Sequence, residues 1–175
     1  YYYQFSKLEI DHLRNLLARH NSVFGYRPHY FRNSSEYLNL DVFIDGETLV
    51  DLSQSQVPEI SAAARECDVL ITDYSSVHME TLYLGKPSLS FAYDMEGYLS
   101  EQNGLLYDPS LCFGRGVCRD FSSLLNMLDD VLSGRMSSDD LGGAVARRIF
   151  FNYRDCANSQ RVHERVCGAL GWSSR

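Results

Sequence analysis

The residues best suited to bind an anion form the segment 72–76 (TDYSS), which directly follows a short apolar run predicted to be a buried strand. In open parallel sheets, ligands bind beyond the carboxyl ends of strands, where helix N-termini present free N–H groups and a partial positive charge. We therefore expect Ser75 to cap the following helix, and the hydroxyls and backbone N–H groups of Ser75 and Ser76 to face an incoming phosphate. On spacing alone, two serines that only cap a helix are the favoured interpretation.

Glu80 is predicted to lie on the less polar side of that helix. At about 100° per residue, His78, Thr81 and Gly85 share one polar stripe, and Glu80 falls opposite, beside Ser76. A carboxylate among apolar neighbours is costly unless it accepts hydrogen bonds, which a ribose diol one turn below a phosphate would donate. A buried glutamate paired with an arginine is an equally open alternative. His78, on the solvated stripe, is predicted to be an ordinary surface residue.

Arg27 and His29 follow another predicted strand and would lie at the same carboxyl edge if the sheet is parallel. Arginine supplies a permanent charge, and a histidine near a phosphate can carry a proton or give one to a leaving group. A lone histidine in a loop is nevertheless more often only a loop residue. This pair is the second candidate for anion binding.

Other candidates have weaker patterns. Asp94 and Glu96 could form an acid/base pair, although two carboxylates after a strand are more often turn and cap residues. Arg161 and Arg165 share a face of the last predicted helix, which would contact phosphate or simply face solvent. The chain has no Gly-x-Gly-x-x-Gly fingerprint, no P-loop and no Gly-x-Ser-x-Gly elbow, so Ser75 is a poor candidate for a hydrolase nucleophile.

The elements that must position these residues alternate between strands and helices. This alternation predicts an α/β fold with a Rossmann-like parallel sheet and helices on both faces, in a single domain over residues 1–175. The predicted strands cover residues 22–26, 40–45, 68–72 and 88–93. The predicted helices cover residues 6–19, 59–66, about 76–84, 121–132, 139–150 and 157–170, with a glycine-rich loop over 104–116.

Composition narrows the function classes. The chain has 175 residues, and 45% of them are hydrophobic, which excludes a disordered protein. Its net charge of -7 argues against nucleic acid as a partner. The five cysteines form no Cys-x-x-Cys pair, which argues against zinc and fits reduced thiols in a cytoplasm. No apolar run has membrane-spanning length, and the first residues lack the basic and apolar stretches that are typical of a signal peptide, so we expect none in this chain. Because the chain starts with Tyr1 inside an amphipathic pattern, we expect a fragment of a longer protein.

Several strings of the sequence together resemble one enzyme family. The segments 68–77 (DVLITDYSSV), 85–87 (GKP) and 91–94 (FAYD), with Asp155 and the later 159–162 (SQRV), resemble the C-terminal half of the CDP-glycerol glycerophosphotransferases. These enzymes are the teichoic acid and capsule polymerases of bacteria. The similarity runs from about residue 27 to residue 162.

The resemblance implies the donor-binding half of a GT-B enzyme, in which two Rossmann-like halves enclose a cleft. Such an enzyme passes a polyol phosphate from CDP-glycerol, or a similar CDP-polyol, to a hydroxyl on a polyol-phosphate or glycan acceptor. The general base would lie in the N-terminal half, so this chain alone would bind rather than catalyse. A diphosphate donor could bring Mg²⁺ with it, although no metal-ligand cluster stands out. Carried over by position, His29, Ser75 and Ser76 would bind the diphosphate, and His29 is also the catalytic candidate. Glu80 would contact the ribose or glycerol, and Arg161 would close the site. Arg27 and Asp73 would bind the donor beside them.

Departures from the family pattern leave the polyol open. Tyr30 replaces a frequent proline, Asn103-Gly104 replaces an Arg-Gly pair, and Cys156 replaces a glycine. A ribitol or sugar-phosphate donor therefore fits as well. Two further alternatives are a GT-B glycosyltransferase that uses a UDP-sugar and a non-catalytic binding module. The resemblance also implies a cytoplasmic location, peripheral at the inner face of the membrane in the full-length protein.

Overall fold

The computed structural model describes residues 3–28, 39–101 and 106–172. Helices and strands alternate through most of the chain, as the sequence predicts, and three helices follow the last strand. The strands are β1 (Phe24–Tyr26), β2 (Leu49–Asp51), β3 (Leu70–Thr72), β4 (Ser88–Phe91) and β5 (Val117–Cys118). The helices are α1 (Lys7–Arg19), α2 (Ile60–Glu66), α3 (His78–Leu84), α4 (Met95–Glu101), α5 (Pro109–Phe113), α6 (Phe121–Leu132), α7 (Gly143–Phe150) and α8 (Asn158–Leu170).

Helix α1 begins as the sequence predicts. The Ser6 hydroxyl accepts the backbone N–H of Glu9, and the Glu9 carboxylate accepts the backbone N–H of Ser6, so the two residues form a capping box. Ile10, Leu13 and Leu17 recur at helical spacing and are buried. The helix therefore turns one apolar face inward, against α6.

All strand pairings in the described residues are parallel. β1 pairs with β2, with Phe24 opposite Leu49, and β3, β4 and β5 form a three-stranded sheet in that order, with Leu70 opposite Ser88. Parallel strands need crossover helices, which is why the chain alternates between the two kinds of element. The predicted α/β class with parallel strands is confirmed.

One core joins the two sheets to the helices. Leu49 of β2, Leu89 of β4 and Ile10 of α1 are completely buried, and Leu128 of α6 is almost so. Each fully buried leucine or isoleucine side chain contributes about 1.5–3 kcal/mol relative to exposure. This packing fixes β3 and β4, and with them the loops that leave their carboxyl ends.

The predicted strand over 40–45 is wrong. A 3-10 helix occupies Asn39–Phe43, and the strand forms at Leu49–Asp51 instead. The Asp45 carboxylate accepts the backbone N–H groups of residues 47–49 at 2.8–3.0 Å, which bends the chain into a turn and holds the pKa of that carboxyl well below its usual range. A short apolar run has no periodicity that separates a strand from a helical turn.

The predicted loop over 104–116 is also wrong in the part that the structure describes. It contains α5, whose first turn is capped by the Asp108 carboxylate accepting the Ser110 N–H, and it leads into β5. Gly114 has a φ of 53°, and a Cβ there would lie 1.8 Å from the Leu141 carbonyl oxygen. This glycine therefore serves a close backbone approach between packed elements, and does not mark a free loop.

The predicted helix over 139–150 is shorter than expected. It starts at Gly143, after Gly142 with a φ of 97°. None of the helices in the described part of the chain combines the length and the apolar character that a bilayer-spanning segment requires. The five cysteines are free thiols.

Candidate functional site

The loop that leaves β3 is held by hydrogen bonds to its neighbours. The Asp73 carboxylate accepts the Ser75 N–H at 3.0 Å, and the Ser90 hydroxyl donates to the Asp73 carbonyl oxygen at 3.0 Å. The Tyr74 hydroxyl donates to the Asp94 carboxylate at 2.9 Å, which ties this loop to the one after β4. Burial and that hydrogen bond raise the pKa of Tyr74. The loop is thus fixed at the carboxyl edge of two adjacent parallel strands.

The two serines of this loop differ in what remains available for a ligand. The Ser75 N–H is taken by Asp73, and its hydroxyl accepts the Val77 N–H at a long 3.4 Å. Ser76 is exposed, and neither its N–H nor its hydroxyl has a hydrogen-bond partner within residues 3–28, 39–101 and 106–172. Of the two, Ser76 is therefore the one that offers free donors.

The expected capping of α3 by Ser75 is wrong. The helix begins at His78 with Val77 as its N-cap residue, and Val77 provides no side-chain cap. The Ser75 carbonyl oxygen instead accepts the His78 N–H at 3.4 Å. The chain makes a turn after β3 before the helix starts, which moves the helix start beyond the reach of a serine cap.

Helix α3 is rotated relative to the prediction, and two assignments change with it. His78 and Thr81, placed on a solvated stripe by the sequence, are 7% and 0% exposed, whereas Glu80 is exposed. The Thr81 hydroxyl donates to the His78 carbonyl oxygen at 3.0 Å and hydrogen-bonds with Ser88 at 2.6 Å. Polar side chains that find such partners inside the fold can be buried, and polarity by itself does not show this. The predicted burial of Glu80 is wrong.

Arg27 lies at the end of β1, and its donors are used within the fold. Its guanidinium donates to the carbonyl oxygens of Leu52 at 2.8 Å, of Val57, and of Pro58 at 3.3 Å. These bonds connect β1 to the segment that follows β2. Arg27 therefore stabilises the fold, independently of any contact with a ligand.

Some predicted features lie outside the described residues. They include the catalytic candidate His29 with Tyr30, and the pair Asn103-Gly104. Cys156 is described and has a φ of 61°. This is the left-handed region that favours glycine, so the chain keeps there the backbone path that a glycine would adopt more readily.

Arg161, at the start of α8, is held by an acidic and an aromatic neighbour. Its guanidinium pairs with the Asp155 carboxylate, donates to the Asn158 side chain at 2.9 Å, and lies 3.7 Å from the centre of the Tyr153 ring. The Arg161 hydrogen bond holds the pKa of Asp155 below its usual value. The positive charge is thus kept near the surface in a defined position.

Sequence reasoning missed Arg154, which connects two predicted parts of the site. Its guanidinium donates twice to the Tyr83 carbonyl oxygen at the end of α3, at 2.9 and 2.6 Å. A cation at a helix C-terminus is favourable, because the last carbonyl groups carry partial negative charge. The bond joins the helix that carries Glu80 to the segment that leads to Arg161. No local signal could reveal it, because the partners are 71 residues apart.

The donor set includes no ready metal centre. Within the described residues, no group of three or more histidine, cysteine, aspartate or glutamate side chains could hold a metal ion. At the β3 edge, the negative charge of Asp73 opposes an anion, and the N–H and hydroxyl of Ser76 that have no partner in the described residues favour one.

Comparison with known proteins identifies relatives over nearly the whole chain. A family model described as CDP-glycerol:poly(glycerophosphate) glycerophosphotransferase matches residues 1–168. The teichoic acid ribitol-phosphate polymerase TarL of Staphylococcus aureus is 26% identical over 171 residues, which is 96% of this chain and 28% of TarL. The teichoic acid glycerol-phosphate primase of Bacillus subtilis is 34% identical over 88 residues, or 50% of this chain and 22% of the primase.

Solved structures show the same likeness at the level of the fold. A variant of the wall teichoic acid polymerase TagF superimposes with a TM-score of 0.68 at 20% identity, over 95% of this chain and 39% of TagF. A second TagF structure gives a TM-score of 0.66 at 22% identity. The likeness confirms the expected GT-B-like α/β fold. The chain spans about a quarter of the length of the curated relatives, such as TarL, that it matches.

Proposed function

The chain belongs to the CDP-glycerol:poly(glycerophosphate) glycerophosphotransferase family, and we propose that it is the part of such an enzyme that binds the CDP-activated donor. The family match over residues 1–168 is the observation that carries this proposal. In the whole enzyme, a hydroxyl of a growing teichoic acid polymer would attack the phosphorus of the polyol phosphate. A new P–O bond would form, the diphosphate bond would break, and CMP would leave.

The loop after β3 is the proposed binding site of the diphosphate. Ser76 supports this assignment because the residue is exposed and its N–H and hydroxyl have no partner within the described residues. The loop is already fixed by Asp73 and Tyr74, so little ordering is needed when the ligand arrives. Hydrogen bonds to a charged phosphate are worth about 1.5–3 kcal/mol each.

Glu80 is the proposed contact for hydroxyl groups of the ribose or the polyol. It is exposed, and a carboxylate accepts hydrogen bonds from a diol without rearrangement of the core. Arg161 would close the site by sharing its guanidinium between Asp155 and phosphate. Arg27 would support the site through the segments that it joins.

His29 is proposed to contact the diphosphate and to neutralise or protonate the departing phosphate. Histidine suits this task because it changes charge near neutral pH. The base that activates the acceptor hydroxyl would come from outside this chain, so we expect donor binding without transfer by this chain alone. The proposal also includes the location and the acceptor, which the family resemblance supports. The whole enzyme would act at the inner face of the cell membrane and would transfer the polyol phosphate to teichoic acid or capsular polymers.

Thermal unfolding with a panel of nucleotides tests the proposal. The panel is CDP-glycerol, CDP-ribitol, CDP, UDP and ATP, each with and without Mg²⁺. A ligand at about ten times its Kd adds about 1.4 kcal/mol of stability, or a few degrees in the unfolding midpoint. We expect shifts with the CDP compounds alone, and the larger polyol response identifies the donor.

Two results would contradict the proposal. A response to UDP that exceeds the response to CDP would indicate a sugar transferase of the same fold. Silence from all five nucleotides, repeated with the longest available form of the protein, would refute donor binding and leave a non-catalytic module.

A further inference from the structure

His78 is a buried histidine that the proposed binding role does not use directly. It is 7% exposed, and its ring lies 4.6 Å from the ring of Phe113 on α5, at an angle of 40°. Its Nδ1 atom is 3.0 Å from the Ser75 carbonyl oxygen. Its Nε2 atom is the only buried side-chain nitrogen or oxygen in the described part of the chain that has no hydrogen-bond partner.

These contacts determine where the ring carries its proton. A carbonyl oxygen can only accept, so Nδ1 must donate to Ser75. A proton on Nε2 would be buried without an acceptor, which is costly. A ring proton therefore belongs on Nδ1, where the Ser75 carbonyl oxygen accepts it.

The bond fixes the peptide between Ser75 and Ser76. The Ser75 carbonyl oxygen accepts two hydrogen bonds from His78, one from the backbone N–H at 3.4 Å and one from Nδ1 at 3.0 Å. The peptide is trans, so its carbonyl and its N–H point in opposite directions. Because the carbonyl is held towards the buried ring, the Ser76 N–H must point away from that ring, and Ser76 itself is exposed.

We propose that His78 is a positioning residue that holds the Ser75–Ser76 peptide so that the Ser76 N–H is aimed at the donor diphosphate. This inference rests on the proposed function. Phe113 of α5 packs against the His78 ring and holds it in place. The hydrogen bond from Nδ1 then fixes the orientation of the Ser75–Ser76 peptide, and with it the direction of the Ser76 N–H. His78 touches no ligand itself.

Three substitutions separate positioning from stability. His78→Asn keeps an N–H donor close to the place of Nδ1, whereas His78→Leu keeps the volume and removes the donor. Thr81→Val is the control, because it removes other buried hydrogen bonds of the same helix. Affinities for CDP, inorganic diphosphate and cytidine are measured by calorimetry, and unfolding midpoints are measured in parallel.

The expected pattern is specific. His78→Leu loses about tenfold in affinity for CDP and for inorganic diphosphate, the equivalent of one misdirected hydrogen bond, and leaves cytidine unchanged. His78→Asn stays within about threefold of the wild type, even where its midpoint falls. Thr81→Val is less stable and binds CDP as the wild type does.

Three outcomes overturn the inference. They are wild-type CDP affinity in His78→Leu, equal losses in His78→Asn and His78→Leu, and ¹⁵N NMR of the unliganded protein that places the ring proton on Nε2. A wild-type protein that binds no CDP refutes the proposed function instead. Failure of the inference about His78 and failure of the proposed function are therefore distinguishable. The three outcomes above concern His78 alone, whereas the absence of CDP binding by the wild type concerns the proposed function.

Discussion

The segments that follow β1 and β3 both carry residues predicted to bind an anion, yet they differ in whether those residues keep unused donors. Arg27, after β1, directs its guanidinium at the carbonyl oxygens of Leu52, Val57 and Pro58. Ser76, after β3, is exposed, and its N–H and hydroxyl have no partner within the described residues. Residue type and position at a strand end thus identify candidates, and the hydrogen bonds made inside the fold decide which candidates remain available.

Arg161 and Glu80 are intermediate between Arg27, whose donors are used within the fold, and Ser76, whose donors are unused. Arg161 is engaged by Asp155, but at the surface, where a stronger anion can compete for it. Glu80 is exposed, and its carboxylate accepts no hydrogen bond from the described residues. We therefore expect stability effects at Arg27, binding effects at Ser76 and Glu80, and weak effects of both kinds near Arg161.

Arg27→Met should have the largest effect. It leaves three backbone carbonyl groups without their donor, at a cost of about 2 kcal/mol of unfolding free energy in a partly buried site. Urea unfolding measures this loss. Arg148→Met is the matched control, because Arg148 is exposed, and it should change stability by less than about 0.5 kcal/mol. Unchanged stability together with lost CDP binding would reverse the comparison.

Ser76→Ala should act on binding alone. Loss of a hydroxyl that meets a charged phosphate costs about 1.5 kcal/mol, or roughly tenfold in the affinity for CDP, and the unfolding midpoint should not move. Ser122→Ala, at another exposed serine, should leave both quantities unchanged. Calorimetric titration and thermal unfolding of the same samples make the test. A wild-type affinity would remove the hydroxyl from the site.

Glu80→Gln should have a smaller and more selective effect. Because Glu80 is exposed, its hydrogen bonds to ligand hydroxyls are worth about 0.5–1 kcal/mol, or about two- to fivefold in affinity for CDP-glycerol. Binding of inorganic diphosphate should not change. Glu96→Gln, at an exposed glutamate on α4, serves as the control. Equal losses for both ligands would contradict the assignment, because inorganic diphosphate carries no ribose or polyol hydroxyl.

The smallest expected effect is the pH dependence of the ion pair between Asp155 and Arg161. The pKa of Asp155 is lowered by the Arg161 hydrogen bond, so the pair stabilises the folded state above the unfolded pKa of about 3.8. That contribution is lost as the pH falls through the folded pKa. Asp155→Asn should therefore be slightly less stable than the wild type at about pH 6, and the difference should disappear near about pH 2. A difference that does not vary with pH would contradict the assignment.

The sequence predicts those features that depend on neighbours along the chain. The extent of α1, the position of β3, and the end of α3 before Gly85 all follow from local patterns. The parallel α/β class follows from the alternation of the elements. These features depend on backbone geometry within one turn of each residue, which the residue types alone largely determine.

The features that the sequence does not predict depend on distant contacts. The burial of Thr81 depends on Ser88 in the next strand, and the placement of His78 depends on Phe113, beyond a second helix. The bond between Arg154 and Tyr83 joins residues far apart in the chain. A helix of seven residues such as α3 also has too few turns for its stripe of polar residues to identify the buried side.

The most direct test of anion binding at Ser76 is an NMR titration of ¹⁵N-labelled protein with CDP and with inorganic diphosphate. The Ser76 amide and the Arg27 side-chain N–H signals are followed in the same spectra. We predict that the Ser76 amide shifts and saturates with both ligands, while the Arg27 signals stay in place. Binding that shifts the Arg27 signals and leaves the Ser76 amide unmoved would contradict anion binding at Ser76.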